Sequence, residues 1–438
     1  MDKTKRHLTF GETVAVASML FGMFFGAGNL IFPIHMGQLA GANILPALLG
    51  FLVTAVGMPL LAVVALGLSR ENSLFFIAGR VSKSYGYILS TVLYLTIGPF
   101  FAIPRCATTS YTIGFNGTGI PIVVVTFIFF AIVLGFSLRP NGILNSIGKL
   151  LNPAFLFFFL LLIVFSIAKP MSTSLSGFMP AAEYASHPLP KGLIEGYNTM
   201  DVIAGLLFGI VVVDVLKNLG IKDNRDIAAS TVKSGIFCGL LMAIIYAGAT
   251  FMGASSIGAI EISSNGGIAL SDCCRYYFGH AGRIILGLIV TLACIKTAIG
   301  LVVSIGKAFD ETFTKGKHYN AWAIGFVLFA FIISNAGLDQ IIKLSIPMLM
   351  LLYPLSITLT LLVLFDSFFK GRREVYFWTT IFALIAAIFD FVHAFGITRF
   401  DNLAVKLFPM YSIGLGWVVP SIVGFVVGLV ISRLKEAC

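Results

Sequence analysis

A chain of 438 residues that is 58% hydrophobic and only 11% charged, with 41 Phe and 45 Gly, carries more apolar surface than a water-soluble fold can bury. Its formal charge of +10 is scattered between apolar runs, so it speaks to membrane topology and not to nucleic-acid binding. One crossing takes about 20 apolar residues and many such runs follow one another, which makes this an all-α polytopic membrane protein.

The chain opens with Lys3, Lys5, Arg6 and His7 ahead of an apolar run from about Val14 to Ile34. That run is too long and too glycine-rich for a signal-peptide core and has no cleavage site behind it, so it reads as a first span. Inside it lies Gly26-Ala27-Gly28-Asn29-Leu30-Ile31-Phe32-Pro33. Two glycines and a proline within eight residues break a helix, and at membrane depth a broken helix is tolerated where it lines a cavity. The freed amides at the start of the second half-helix suit an anion, and the freed carbonyls suit a cation. A kinked helix packed through its glycines is the plainer alternative.

Hydropathy gives twelve spans, at 12–35, 44–68, 84–114, 120–137, 147–168, 193–216, 230–253, 282–309, 319–336, 339–365, 374–395 and 409–432. With the amino terminus inside, twenty Lys and Arg fall on the inner side, among them Lys3, Lys5, Arg6, Arg70, Arg139 and Lys222. Six fall outside: Lys169, Lys191, Arg275, Arg283, Arg399 and Lys406. This excess predicts that both termini are cytoplasmic. The two longer outer segments, 169–192 with four prolines and 254–281 with Gly, Ser and mixed charge, are connectors that have the length to lid a vestibule. Six cysteines, with Cys106 and Cys294 inside spans and Cys273-Cys274 in an outer loop, form neither a disulfide framework nor a metal motif.

The third span stays apolar for about 31 residues when about 20 suffice, so it crosses obliquely, and Gly98-Pro99 and Pro104-Arg105 interrupt it. Arg105 at that depth must face protein or water; it is either a carboxylate ligand or a structural tie to carbonyls freed by Pro104. The sixth span opens Glu195-Gly196-Tyr197-Asn198-Thr199-Met200-Asp201, polar residues that compete for backbone bonds and mark a second interruption. Asp201 is a candidate functional carboxylate, whereas Asp214, three residues before Lys217, reads as interfacial. In the eighth span Ala293, Lys296, Thr297, Gly300 and Ser304 share one helical stripe, and a lysine midway through a span needs a carboxylate, freed carbonyls or water. Asp390 and His393, one turn apart in the eleventh span, are expected to satisfy each other. Asp339 and Lys343 read as an outer-interface pair.

Four blocks resemble one family: Phe25 to Pro33 (FGAGNLIFP), Gly98 to Arg105 (GPFFAIPR), Glu195 to Asp201 (EGYNTMD) and Leu292 to Leu301 (LACIKTAIGL). In this order and at these depths they are similar to the bacterial branched-chain amino acid transport system II carriers, a branch of the amino acid and cation transporter superfamily, over essentially the whole chain. The resemblance implies a single transmembrane domain over 1–438 with two inverted five-helix repeats, 12–168 and 193–365, each opening with a broken helix, and two further helices over 374–432. The two halves show no sequence similarity of their own.

The implied activity is secondary uptake of leucine, isoleucine and valine in a bacterial cell membrane, with no enzymatic step and no cofactor. By the motif match, amides of Gly26, Ala27, Gly28 and Asn29 would hold the substrate carboxylate, and carbonyls near Tyr197, Asn198, Thr199 and Asp201 the ammonium. The alkyl chain would lie among Phe24, Phe25 and Phe208. In sodium-coupled relatives two hydroxyl residues of the eighth span join first-helix carbonyls, here those of Gly22 and Phe25, around Na⁺. This chain keeps Thr297 but places Lys296 at the other position, so the resemblance departs there. Thr112 and Cys106 also differ from the family's usual residues. The ammonium would repel Na⁺, which predicts coupling to H⁺ or to exchange, with Na⁺ symport as the alternative. A membrane-embedded enzyme would need clustered His, Asp, Glu or a nucleophile with its base, and a channel a repeated filter; the sequence offers neither pattern.

Overall fold

The computed structural model describes residues 8–69, 73–138, 143–172, 178–221 and 223–437. Lys3, Lys5, Arg6, Arg70, Arg139 and Lys222 lie outside the described residues. Among the described residues, seven helical stretches are long and apolar enough to cross a membrane, and four shorter apolar helices accompany them.

The first passage is two helices. α1 (Phe10–Phe24) starts on a capping box between Thr9 and Glu12 and stops at Phe25, whose backbone is extended. α2 (Ala27–Ala40) then starts from Gly26 and carries Pro33 within it. The second passage joins α3 (Ile44–Leu52) to α4 (Met58–Ser69) through a π-helical turn at Val53–Gly57. A short α5 (Leu74–Gly79) leads to the third passage. That passage is long, as its apolar length predicts, and runs from α6 (Lys83–Leu95) to α7 (Ala102–Ser110) across a kink where Gly98 leaves helical geometry. α8 (Ile122–Leu138) and α9 (Ile143–Ala168) complete the first half.

The second half repeats this plan. After the short α10 (Ala182–Ser186), α11 (Pro188–Glu195) begins on a proline at its first turn and tightens into a 3-10 turn at Gly196–Thr199. Met200 adopts left-handed geometry (φ 63°, ψ 14°), and α12 (Asp201–Asn218) continues beyond it. A left-handed methionine is disfavoured by roughly 1–2 kcal/mol and persists only where its surroundings impose it. α13 (Asn224–Ser255), α14 (Gly266–Phe313), α15 (Tyr319–Ser334) and α16 (Leu338–Leu364) follow, then α17 (Arg373–Ala394), the short α18 (Asp401–Leu407) and α19 (Val418–Ala437). With α11–α12 and the five passages of the first half, and leaving aside the short α18, these make the twelve spans expected, counted among the described residues.

Contacts between passages recur in the two halves. α2 of the first passage packs on α13 of the seventh, and α12 of the sixth packs on α4 of the second. α9 packs on α14, and its counterpart five passages later, α16, packs on α7. Because each set contains five passages, an odd number, the second set enters from the opposite side and is inverted relative to the first. α17 lies against α16 and α19, at the edge of this arrangement.

Three local expectations change. The segment 254–281 is not a loop throughout: Asn265 caps the Gly267 and Ile268 amides, and a helix runs from Gly266 to a break at Gly279 (φ 65°) before the eighth passage proper. Cys273 and Cys274 are free thiols buried on that helix. Asp339 accepts from Asn265 Nδ2 at 2.7 Å and Ser264 Oγ at 3.2 Å, so the partner is this helix cap and not Lys343. His393 meets Asp401 at 3.0 Å, leaving the buried Asp390 Oδ2 without a hydrogen bond, because α18 brings a more accessible carboxylate over the histidine.

Several passages touch through glycine alone. A Cβ at Gly37 would stand 2.9 Å from the Ala254 amide nitrogen, and one at Gly253 would stand 2.8 Å from the Ile34 carbonyl carbon. Backbone cannot yield as a side-chain tip can. Gly253→Val is therefore expected to destabilise the protein by 1–3 kcal/mol or more through overpacking, roughly the top of the range for small-to-large changes. Gly325→Ala, where no atom lies within 4 Å of the new Cβ, should melt like the parent. Thermal unfolding of the detergent-solubilised variants checks the contrast.

Candidate functional site

The two helix breaks face each other, and one side chain joins them. Asn29, in the first turn of α2, is 1% exposed. Its Oδ1 accepts the Gly26 amide at 3.0 Å. That amide would bond to the Gly22 carbonyl in an unbroken helix, so the carboxamide of Asn29 replaces the missing bond and leaves the Gly22 carbonyl without it. Asn29 Nδ2 donates to Asp201 Oδ2 at 2.6 Å and to the Tyr246 hydroxyl of α13. The Tyr246 hydroxyl also lies 3.5 Å from Asp201 Oδ2. An asparagine has both polarities in one planar group, so it binds an amide and a carboxylate at once, as Asp or Leu would not.

At the second break, Asp201 N donates to Thr199 Oγ1, which itself donates to the Gly196 carbonyl. The Met200 amide donates to the Tyr197 carbonyl at 3.0 Å. The Asn198 carbonyl accepts from Arg105 Nη1 at 2.7 Å. Arg105 is thus tied across the bundle to the sixth passage and not to carbonyls beside Pro104. Its Cζ lies 5.2 Å over the Phe32 ring.

Between the breaks is a tight cavity of about 50 Å³. Gly26, Ala27, Gly28, Asn29, Arg105, Thr199, Asp201 and Thr297 supply its polar lining. Met23, Phe24, Ile97, Ala102, Cys106, Met200, Ala204, Phe208 and Leu301 supply the apolar wall. A lining that joins apolar side chains to a few convergent polar groups suits a small amphipathic ligand. A second, smaller cavity of about 30 Å³ adjoins it on the other side of Gly26 and Ala27. Gly22, Phe25, Phe155, Ala293, Lys296 and Thr297 line that one.

The structure therefore brings together Phe24, Gly26, Ala27, Gly28, Asn29, Thr199, Asp201 and Phe208 of the residues singled out in sequence. Phe25 belongs to the second cavity, where it stacks on Phe21 at 4.8 Å and on Tyr246 at 6.3 Å. Tyr197 does not line either cavity; it is buried against Tyr353 at 4.3 Å. Asn198 enters only through its carbonyl. Lys296 is half-buried and faces the second cavity, with no carboxylate in ion-pair reach among the described residues. Thr297 borders both cavities, and its hydroxyl donates back to the Ala293 carbonyl. Asp214 is exposed, away from all of this.

Tyr246 and Met200 were not foreseen. A tyrosine in the middle of an apolar span is a signal, since its buried hydroxyl demands a partner. The Met200 geometry has no sequence signal, as glycine or asparagine would be usual there.

The model of the branched-chain amino acid transport protein family matches residues 10–435. The chain belongs to that family. It is 44% identical over 436 residues to a branched-chain amino acid permease of Lactobacillus delbrueckii subsp. lactis, covering 97% of each chain. It is 39% identical over 430 residues to a permease of the same description from Bacillus subtilis, covering 96% of this chain and 97% of that one. Among solved structures, the inward-facing conformation of the transporter Mhp1 superposes with a TM-score of 0.64 at 12% identity, over 99% of this chain and 96% of that one. At that identity the likeness concerns the fold: ten helices in two inverted repeats whose first helices are broken, with two helices added.

The Asn29 network makes a direct prediction for this family member. Asn29→Ala removes the 2.6 Å donor to a buried carboxylate and the acceptor of the Gly26 amide, and is expected to cost about 2–3 kcal/mol, whereas Tyr246→Phe leaves both of those bonds in place and costs about 1 kcal/mol. Chemical or thermal unfolding in detergent separates the two. Equal losses would mean that Asn29 does not hold the breaks together.

Proposed function

We propose that this protein imports leucine, isoleucine and valine across a bacterial plasma membrane by alternating access, with both termini cytoplasmic. The observation that carries this reading is the mostly apolar cavity between two broken helices, with amide donors at one wall and a carboxylate at the other. Family membership and the excess of basic residues in the even-numbered connections support it. The transporting unit is the whole chain, with repeats at 12–168 and 193–365 and two accessory helices at 374–432.

In this reading the first-turn amides of α2, at Ala27, Gly28 and Asn29, hold the substrate carboxylate, because these N–H groups have no partner within the helix and the dipole favours an anion there. The ammonium lies toward Thr199 and Asp201. The branched alkyl group lies against Phe24, Phe208 and Leu301, where each buried methylene contributes about 0.8 kcal/mol. Gly26 and Met200 are the points at which half-helices change direction, and small rotations there would open one side while closing the other.

Coupling follows from Lys296. An ammonium about 4 Å from a Na⁺ costs about 4 kcal/mol at an effective dielectric of 20, roughly a thousandfold in affinity. Uptake is therefore driven by protons or by exchange, and the ammonium supplies the positive charge that the second cavity would otherwise take from an ion. Sodium symport is the second reading, favoured by one observation: the Gly22 carbonyl is released by the Gly26–Asn29 bond, and Thr297 stands at the same cavity.

Counterflow of labelled leucine in proteoliposomes with separately imposed Na⁺ and pH gradients tests both. A steep response to Na⁺ at constant pH in the unmutated protein would sink the proton reading and leave the substrate reading intact. A Cβ at Gly28 would stand 3.0 Å from Arg105 Nη2 and 3.3 Å from the Phe32 ring. Gly28→Leu should therefore abolish leucine binding in a protein that still inserts, and normal binding would place the site elsewhere. Asp201→Asn is expected to reduce transport at least tenfold and the exposed Asp214→Asn less than twofold, about the contrast between a buried charged hydrogen bond and a surface group.

A further inference from the structure

Arg105 is unusual among the charged groups of the bundle. It is 3% exposed, at the beginning of α7 just past the Gly98 kink. A guanidinium offers five N–H donors. One hydrogen bond is made, from Nη1 to the Asn198 carbonyl. No carboxylate lies within ion-pair distance among the described residues. Asp201, the acid that shares its cavity, is engaged by Asn29 and Tyr246 instead. The Nη2 side of the fork adjoins the first turn of α2, since a Cβ on Gly28 would stand 3.0 Å from it.

Two positive features, a guanidinium and a helix start, thus border one cavity with no anion between them. Each is disfavoured by burial, and each raises the potential at the other. Ordinary packing would separate them or insert an acid. Glycine at 28 keeps the space between them clear.

We propose that Arg105 is the residue that selects for a free α-carboxylate: the substrate carboxylate accepts from the unused donors of its fork while also accepting from the α2 amides. The bond to Asn198 positions the fork and links carboxylate binding to the second helix break, so that substrate tightens both breaks together. This rests on the amino acid transport reading above and deepens it. Lysine would be a poor substitute, because a point charge lacks the planar geometry that matches a carboxylate.

The alternative is that Arg105 only tethers the third passage to the sixth. The two differ in what they do to analogues. Binding of leucine and of leucinamide, which keeps the ammonium and side chain but lacks the carboxylate, is measured for the purified parent, Arg105→Gln and Arg105→Lys. The parent is expected to prefer leucine strongly. In Arg105→Gln leucine affinity should fall roughly 10- to 100-fold, the value of hydrogen bonds to a charged group, while leucinamide affinity stays within a few fold, so the preference collapses. Arg105→Lys should lie between. Parallel losses for both ligands, or a preference retained in Arg105→Gln, overturn the proposal in favour of the tether. Should Arg105→Gln not fold, Arg105→Lys decides alone: a preference unchanged from the parent at an unchanged melting temperature overturns it. A parent that binds no leucine overturns the transport reading and this inference with it, an outcome distinct from all the others.

Discussion

Asn29 holds this structure at its weakest place. A helix broken in the middle of a membrane leaves amides and carbonyls that lipid cannot satisfy, and each such group is costly. The Asn29 carboxamide answers on three fronts: it takes the Gly26 amide, donates to Asp201 and donates to Tyr246. The first break, the second break and α13 are therefore referred to one planar group of four heavy atoms. The cavity between the breaks keeps its shape because this group is fixed, and it is open to a ligand because the bonds are made at its edge.

Around that centre the passages are joined by close backbone contacts, polar seams and ion pairs. Toward the α2 end, passages meet backbone to backbone at Gly37, Gly50, Gly192, Gly253 and Gly266, with no side chain between them. A polar seam runs alongside, where Gln38 donates to Ser256 Oγ at 3.0 Å and accepts from the Ser263 amide at 3.2 Å. Lipid tails are as apolar as leucine, so helices in a bilayer gain little by burying large apolar groups against each other and much by close approach and interhelical hydrogen bonds. At the end where α1 begins, ion pairs tie the helices. Arg80 reaches Asp366 at 3.2 Å and Tyr376 at 3.0 Å, and Lys435 reaches Glu374 at 2.8 Å.

The charges within the bundle are distributed with similar economy. Asp201, Arg105 and Lys296 stand at different walls of two adjoining cavities, and none of them is paired with another. Each is held or left free by neutral groups: Asn29 and Tyr246 for the acid, the Asn198 carbonyl for the guanidinium. Neutral partners satisfy geometry without cancelling charge, which leaves the field of each group available to a ligand or an ion.

By itself the sequence determined the class, the twelve passages and the two breaks. Apolar length, basic residues between spans and the Gly26–Pro33 and Glu195–Asp201 interruptions are local features, and lipid allows few ways to accommodate them. It also marked Gly28, Asn29, Asp201 and Lys296 as out of place in a span, since a polar group or a flexible backbone there needs a reason. What it did not determine was who answers whom. That Asn29 bonds Asp201 across 172 positions, that Arg105 finds the Asn198 carbonyl and not one beside Pro104, that Phe25 and Tyr197 turn away from the main cavity, and that 266–278 is a helix capped by Asn265 all follow from packing. Pairing between passages depends on helix rotation and depth, to which the hydropathy of a uniformly apolar span is blind. Only the tertiary structure fixes those two quantities, because they are set by which glycines let backbones touch.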